Sequence, residues 1–310
     1  MESQFPKRKI WQSIFLTLEE NRLRAGWRLM LHSVLIMVLI VIAGIVIFIP
    51  VGLLKINFSS PLALLANQLT MLFAITTATF LARRFLDKRS IRSLGLTLGN
   101  QAGKDILAGI SIAFFLMGLI FSIEIGIGWT KFEGFSWQAD STPIVVAKTI
   151  LWMIVFLIVG WQEELLSRGY QLQTLQSGLG LFWAVVLSSS IFGAMHIFNP
   201  SANWISTLGI ILAGLFLTLP FLLTHQLWLS IGLHIGWNFF EGVVFGFPVS
   251  GLETYHLLRH TVSGPELWTG GAFGPEAGLL LIPALLLGSW LVLLYSRSNF
   301  RNNFPIKVNN

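Results

Sequence analysis

Residues 144–171 read IVVAKTILWMIVFLIV followed by GWQEELLSRGYQ. The first part is apolar enough for the interior of a lipid bilayer. The second part places two adjacent carboxylates, Glu163 and Glu164, and the guanidinium of Arg168 at the end of that apolar run. Ionisable groups at membrane depth are costly and by default indicate a functional site. This stretch therefore predicts a membrane-spanning fold and shows where its chemistry should be sought.

The composition of the whole chain agrees with that prediction. Of its 310 residues, 54% are hydrophobic and only 11% are charged, whereas a soluble domain carries about 25% charged residues. Each apolar run is close to the roughly 20 residues that a spanning helix needs. The sequence predicts an all-α, polytopic membrane protein with about eight transmembrane helices. The predicted spans are 30–49, 61–82, 105–128, 144–162, 180–198, 204–223, 227–247 and 277–296.

The basic residues predict the orientation of these spans. Of the 20 Lys and Arg residues, only Lys55, Lys131, Lys148 and Arg259 fall on one side. Basic residues concentrate on the cytoplasmic side of membrane proteins, so both termini are predicted to be cytoplasmic. The net charge of +6 lies at the ends of apolar runs, which predicts contact with a lipid bilayer and no nucleic-acid partner. The chain has no cysteine, which excludes disulfides, thiolate nucleophiles and cysteine–zinc sites.

The chain is predicted to contain two regions. Residues 1–29 place apolar side chains at helical spacing among basic ones, which indicates a cytoplasmic amphipathic segment lying on the membrane. Residues 30–310 form the predicted membrane domain, and a signal peptide is not expected because the first apolar run is long enough to span. The longest irregular piece, 248–276, is predicted to be an outer loop. The apolar side chains of the N-terminal segment are Trp11, Ile14, Phe15 and Leu18.

The polar end of the opening stretch contains one predicted ion pair and one further carboxylate. Glu164 and Arg168 are four residues apart, so on a helix they share a face in the favourable order for an ion pair. Glu163 is turned by about 100° from Glu164 and has no local counter-charge. A carboxylate of that kind near lipid suits a general base. The alternative is that both acids lie in the headgroup region without a catalytic role.

Five further polar residues lie in the apolar runs. His196, in FGAMHIFNP near a helix end, fits a packing residue as well as a ligand. His234 and Asn238 are four apart and share a face, and one such pair can be a hydrogen bond between helices. Glu241 continues that stripe and is interpreted as structural or supporting. Glu124 is near the outer end of its span and is predicted to reach the solvated interface.

Helix geometry predicts how deep these residues lie. Glu163 is near the cytoplasmic end of its span, and His234 is about 10 Å into its own span from the same side. His196 is about 24 Å along its span and meets the others only if the helix of Glu163 continues to about Gln176. On this reasoning Glu163, His196, His234 and Asn238 line one cavity that opens toward the cytoplasmic half of the membrane.

Three motifs in order match a known family. EELLSR fits E-E-x-x-x-R, FGAMH fits F-x-x-x-H, and HIGWN fits H-x-x-x-[ND]. Residues 144–247 thus resemble the CPBP family of type II CAAX prenyl endopeptidases and bacteriocin-processing enzymes, also called the Abi family. The resemblance implies an intramembrane protease acting on a peptide or membrane-protein substrate. The tight loops and lack of targeting signals favour a bacterial plasma membrane.

The resemblance also implies a role for each catalytic residue. Glu163 looks like the residue that activates water, and His196 looks like its partner in holding that water. His234 and Asn238 look like donors to the oxyanion of the tetrahedral intermediate. Such a base and such preorganised donors are what amide hydrolysis requires, and no cofactor is needed.

Zinc remains the alternative cofactor. Glu163, His196 and His234 form a common catalytic zinc set of two histidines and a carboxylate, whereas Glu164 with Arg168 looks structural. The zinc ligands would come from three helices and H-E-x-x-H is absent, so the metal-free mechanism is favoured.

Other functional classes fit less well. No G-x-S-G motif occurs, which argues against a rhomboid-type protease, and the missing H-E-x-x-H argues against a site-2 type. The three aspartates, Asp87, Asp105 and Asp140, lie near span ends and form no intramembrane pair. A non-catalytic membrane scaffold or bacteriocin immunity protein of the same fold remains the main alternative. A transporter is disfavoured because paired discontinuous helices are not indicated.

Overall fold

The fold is helical, as the sequence predicts. The computed structural model describes residues 14–17, 22–55, 57 and 61–303, and within these its one sheet has two strands. Three of the helices continue in a wider, π-helical turn: α2 over Ala82–Leu86, α4 over Leu165–Leu172 and α7 over Phe239–Val244. The helices are α1 Ala25–Leu53, α2 Pro61–Leu81, α3 Asn100–Gly126, α4 Thr142–Glu164, α5 Gln173–Ala194, α6 Trp204–Thr224, α7 Trp228–Asn238, α8 Glu266–Thr269 and α9 Leu281–Asn303.

Six helical stretches among the described residues are long and apolar enough to cross a membrane. The predicted spans 144–162 and 180–198 both fall within the stretch Thr142–Ala194, on either side of the non-helical Gly180. The predicted span 227–247 is instead the shorter helix α7 with its π-helical turn. The six apolar stretches make the protein an integral membrane protein. Large apolar side chains such as Val46 and Leu53 are exposed on α1, as lipid contact would require.

Helix α7 lies at the centre of the bundle, because every residue from Leu229 to Asn238 is buried. Two glycines allow α3 and α7 to approach backbone to backbone. A Cβ on Gly232 would lie 2.3 Å from the carbonyl oxygen of Ile106, and one on Gly109 would lie 2.4 Å from the nitrogen of Leu233. Small residues at such positions are typical of helix contacts in membranes. The central position of α7 brings its polar residues close to α4.

Helix α4 continues well beyond its apolar run, as required for the predicted site. Through the π-helical turn it joins α5, and the break comes at Gly180, where φ is 79° and ψ is 170°. The expected continuation to about Gln176 is therefore confirmed. Gly160 brings α4 against α7, since a Cβ there would lie 2.6 Å from a side-chain carbon of Ile235.

The N-terminal prediction is only partly covered by the structure. Trp11 and Leu18 lie outside the described residues, and α1 begins at Ala25, five residues before the predicted span. Arg28, expected among the cytoplasmic charges, is instead buried and paired with Asp87.

That pair belongs to a buried polar cluster joining α1, α2 and α5. Asp87 also accepts a hydrogen bond of 3.0 Å from Arg83. The second guanidinium nitrogen of Arg28 donates to Ser177 at 2.6 Å, and that of Arg83 donates to Gln173 at 2.6 Å. Buried charges are tolerated when they are paired and hydrogen-bonded, which explains how these arginines lie inside the bundle.

Two predictions about the outer side are wrong. Glu124, expected to be solvated, is fully buried and accepts a 2.6 Å hydrogen bond from Thr130. The segment 248–276, expected to be irregular, contains strand β2 (Leu258–Val262), which pairs antiparallel with β1 (Thr130–Phe135). The strand pairing joins distant segments of the chain, so it leaves no local pattern in the sequence.

Candidate active site

Glu163 lies between two histidines at the end of α4. Its Oε2 atom is 3.9 Å from Nε2 of His196 and 3.8 Å from Nε2 of His234. These gaps are too long for direct hydrogen bonds and short enough for both pairs to share one water. Oε2 is buried and has no hydrogen-bond donor among the described residues. The three side chains thus form the compact constellation that the sequence predicts.

The orientation of His196 is set by the helix that precedes it. Its Nδ1 atom lies 2.8 Å from the carbonyl oxygen of Phe192, one turn earlier. A carbonyl only accepts, so Nδ1 carries the proton. In the neutral ring Nε2 is then an acceptor directed toward Glu163. A water between Glu163 and His196 can donate one hydrogen to each of them.

His234 is held by the second carboxylate of the opening motif. Its Nδ1 atom lies 2.9 Å from Oε1 of Glu164, and the same oxygen accepts a 2.8 Å hydrogen bond from Arg168. Sequence reasoning paired Glu164 with Arg168 and missed its contact with His234. The two residues are 70 positions apart, and no local signal connects them.

Arg168 fixes three elements around the site. One guanidinium nitrogen donates to the carbonyl oxygen of Gly214 at 2.7 Å, and the guanidinium lies 4.6 Å from the ring centre of Phe192. The Phe192 ring also contacts the rings of His196, at 5.0 Å, and His234, at 6.0 Å. The ion pair thus positions the histidines as well as neutralising Glu164.

Arg168→Ala is expected to lower the amount of folded protein in membranes, whereas Glu163→Ala should leave it nearly normal. Removing one partner of a buried pair costs about 3–5 kcal/mol, and Arg168 and Glu164 are both almost fully buried. Glu163 is partly exposed, and its Oε2 has no donor to lose. Quantitative blotting and size-exclusion profiles of solubilised membranes would measure both variants.

Lys148→Ala, on the exposed part of α4, is the matched control for loss of a cation. Its contact with Asp140 is 3.4 Å long and solvent-exposed, and such pairs contribute little. Equal accumulation of the Arg168 and Glu163 variants would contradict this division of roles.

The predicted catalytic residues share one large cavity. It has a volume of about 910 Å³, and Glu163, His196, His234 and Asn238 all line it. Its other walls are mainly apolar side chains of α2, α4 and α6. Glu241, three residues beyond Asn238, is fully buried and is not part of the lining.

Exposed residues of the connection after α7 lie at the rim of the cavity. These are Glu253 and Leu252, and Phe48 and Ala63 add the facing ends of α1 and α2 to the lining. The side of the membrane toward which the cavity opens stays a prediction.

Sequence reasoning also missed a carboxylate in the cavity wall. Glu276 is 5% exposed and lines the cavity with the four predicted residues. It lies in a 3-10 turn, Pro275–Ala277, just before α9. It was assigned to an irregular loop, and no motif distinguishes it.

The zinc alternative finds limited support in the geometry. No group of three His, Cys, Asp or Glu side chains in the described part of the chain is arranged to hold a metal ion. Ligands of tetrahedral zinc lie about 3.3 Å apart when the metal bonds are about 2.0 Å, and the gaps from Glu163 are wider. The contact of His234 with Glu164 would, however, also orient a zinc ligand. The metal-free mechanism stays a prediction.

Comparison with known proteins covers the central third of the chain. Residues 145–240 match the family described as type II CAAX prenyl endopeptidase Rce1-like. The matched segment contains Glu163, His196, His234 and Asn238 and ends before Glu276. No curated protein and no solved structure matches the chain.

Proposed function

We propose that the chain, whose residues 145–240 match the family of Rce1-like type II CAAX prenyl endopeptidases, is an intramembrane endopeptidase in which Glu163 activates a water. The observation that carries the proposal is the buried Oε2 atom of Glu163. It has no hydrogen-bond donor among the described residues and lies 3.8 and 3.9 Å from two histidine nitrogens. An acceptor in that setting is suited to take a proton from a water in the cavity.

The proposed reaction follows from these contacts. A water donates one hydrogen to Glu163 and one to Nε2 of His196, and its oxygen attacks the carbonyl carbon of the substrate. Glu163 takes the proton as the carbon–oxygen bond forms. When the carbon–nitrogen bond breaks, Glu163 returns that proton to the leaving nitrogen. General base and acid steps of this kind contribute about 10²–10⁴-fold in rate.

His234 and Asn238 are proposed to stabilise the oxyanion. The Nδ1 proton of His234 is engaged by Glu164, so Nε2 can donate only when the ring is an imidazolium. Glu164 and Glu163 lie on its two sides and balance that charge. Asn238, one turn further along α7, supplies the second donor.

Cleavage assays of the purified protein in liposomes test the proposal. A library of peptides of mixed sequence is incubated with wild-type protein and with Glu163→Ala, and the products are identified by mass spectrometry. Cleavage that requires Glu163 supports a protease in which peptides or membrane-protein segments are the substrates. Intact peptides that still bind the protein would indicate a non-catalytic scaffold or immunity protein. Residence in a bacterial plasma membrane is part of the same proposal.

Prolonged chelation is expected to leave cleavage unchanged. In the proposed reaction His196 and Glu163 accept hydrogens from water, and no metal takes part. If zinc were instead held by Glu163, His196 and His234, it would supply a water of lowered pKa, and chelation would stop cleavage until zinc was restored. Metal analysis of active protein, compared with His196→Ala, would measure this directly.

A further inference from the structure

The permanently charged side chains of the cavity wall are all acidic among the described residues. The carboxylates of Glu163, Glu253 and Glu276 line it, and no Lys or Arg does so among the described residues. This contrasts with the chain as a whole, whose net charge is +6. The histidines are cationic only when protonated, and His234 is hydrogen-bonded to Glu164. The cavity therefore offers a substrate carboxylates and no permanent cation.

Glu276 occupies a rigid and closely packed position in this wall. Its Oε2 atom accepts a 2.5 Å hydrogen bond from the hydroxyl of Ser250, and Asn199 donates to the Ser250 carbonyl at 2.9 Å. A Cβ on Gly209 of α6 would lie 1.8 Å from the backbone oxygen of Glu276. Only glycine permits this approach, so the position of the carboxyl is built into the fold. Asn199 also connects it to the loop that follows His196.

The carboxyl of Glu276 is short of positive charge. No Lys or Arg of the described residues pairs with it, and its protein hydrogen bonds come from Ser250. Burial raises the pKa of Glu276, although Ser250 and, when protonated, the two histidines oppose that change. A buried carboxylate is costly unless a cation compensates it. An incoming cation would supply that compensation.

We propose that Glu276 is a specificity-determining residue that receives a cationic side chain, lysine or arginine, close to the bond that is cleaved. The inference rests on the proposed protease function, because it assigns a substrate class to that site. Glu276 and Glu163 line the same cavity, so an extended peptide cleaved at Glu163 has neighbouring side chains facing the Glu276 wall. The apolar walls accept the uncharged side chains of the same peptide.

Three peptides that differ at one position next to a cleaved bond test the proposal. They carry lysine, glutamine or glutamate, and kcat/KM is measured with wild-type protein in liposomes. A charge-assisted hydrogen bond predicts that lysine is favoured over glutamine by about tenfold or more. In Glu276→Gln this preference should disappear. Glu253→Gln, at the solvent-exposed rim, is the matched control and should retain the preference.

Each other outcome overturns the inference. Equal rates for the three peptides in wild-type protein would do so, as would a lysine preference that persists in Glu276→Gln. A uniform loss for every peptide in that variant would assign Glu276 a structural role only. If the variant does not accumulate, the wild-type series and Glu276→Asp, which keeps the charge and should keep the preference, decide the matter.

Binding measurements separate this inference from the proposed function. Fluorescent versions of the three peptides are titrated against wild-type protein. A lysine preference in binding without any cleavage would retain the role of Glu276 and reject the protease. Cleavage without a charge preference would support the protease and reject the role of Glu276.

Discussion

Glu163→Gln is expected to lower turnover by about 10²–10⁴-fold, the contribution of a general base. The amide keeps the size and shape of the carboxyl but cannot take a proton from water. The neighbouring Glu164 cannot replace it, because Oε1 of Glu164 is occupied by Arg168 and His234. The loss should appear in kcat, since binding of the peptide to the cavity walls is unaffected.

Single-turnover cleavage of a peptide found in the library screen would measure this loss. Glu253→Gln is the control, because it makes the same chemical change at the rim of the same cavity. Glu163→Gln should accumulate and elute like wild-type protein, since its carboxylate takes part in no buried ion pair within hydrogen-bond distance. A variant that kept more than about a tenth of the wild-type rate would reject Glu163 as the base.

Local chemistry explains why part of this site could be read from the sequence. Glu164 and Arg168 are one helical turn apart, so their ion pair followed from spacing alone. The approach of His196 to Glu163 followed from counting residues along helices, given that the helix of Glu163 continues toward Gln176. The ion pair is a property of one helix, and the approach of His196 depends on the lengths of the helices on either side of Gly180. Both are present in the structure.

Contacts between distant segments could not be read in this way. The hydrogen bond between His234 and Glu164 depends on Gly160, which lets α4 approach α7. The burial of Glu276 depends on Gly209, which lets a loop lie against α6. The sequence does not show which backbone will approach a glycine in an apolar run.

The number of membrane spans also depends on contacts between segments that the sequence does not show. Composition identified each apolar run, and Gly180 separates the predicted spans 144–162 and 180–198 within the stretch Thr142–Ala194. Composition could not show that α7 is enclosed by other helices and faces lipid little. Hydropathy shows whether a segment is apolar. It does not show whether the apolar side chains contact lipid or other helices.

Asn238→Ala is expected to lower kcat by about 10²–10³-fold, the usual loss for one oxyanion donor. Asn238 is 6% exposed and lines the cavity beside His234, where a donor meets little competition from bulk water. The charge on the substrate oxygen develops only as the tetrahedral intermediate forms. The loss should therefore fall on kcat, with KM nearly unchanged. Steady-state kinetics with the library peptide would measure the two parameters separately.

The size of that loss also discriminates between the two mechanisms. In the metal-free reaction the oxyanion depends on Asn238 and His234 alone, so losing the amide is severe. A zinc ion would polarise the carbonyl itself, and Asn238→Ala would then cost much less than 10²-fold. Asn67→Ala, an exposed asparagine on α2 that lines the same cavity, controls for the change in shape and polarity. A mild Asn238 variant together with chelation-sensitive cleavage would replace the glutamate–water mechanism by zinc catalysis. A severe one with chelation-resistant cleavage would leave His234 and Asn238 as the groups that stabilise the intermediate.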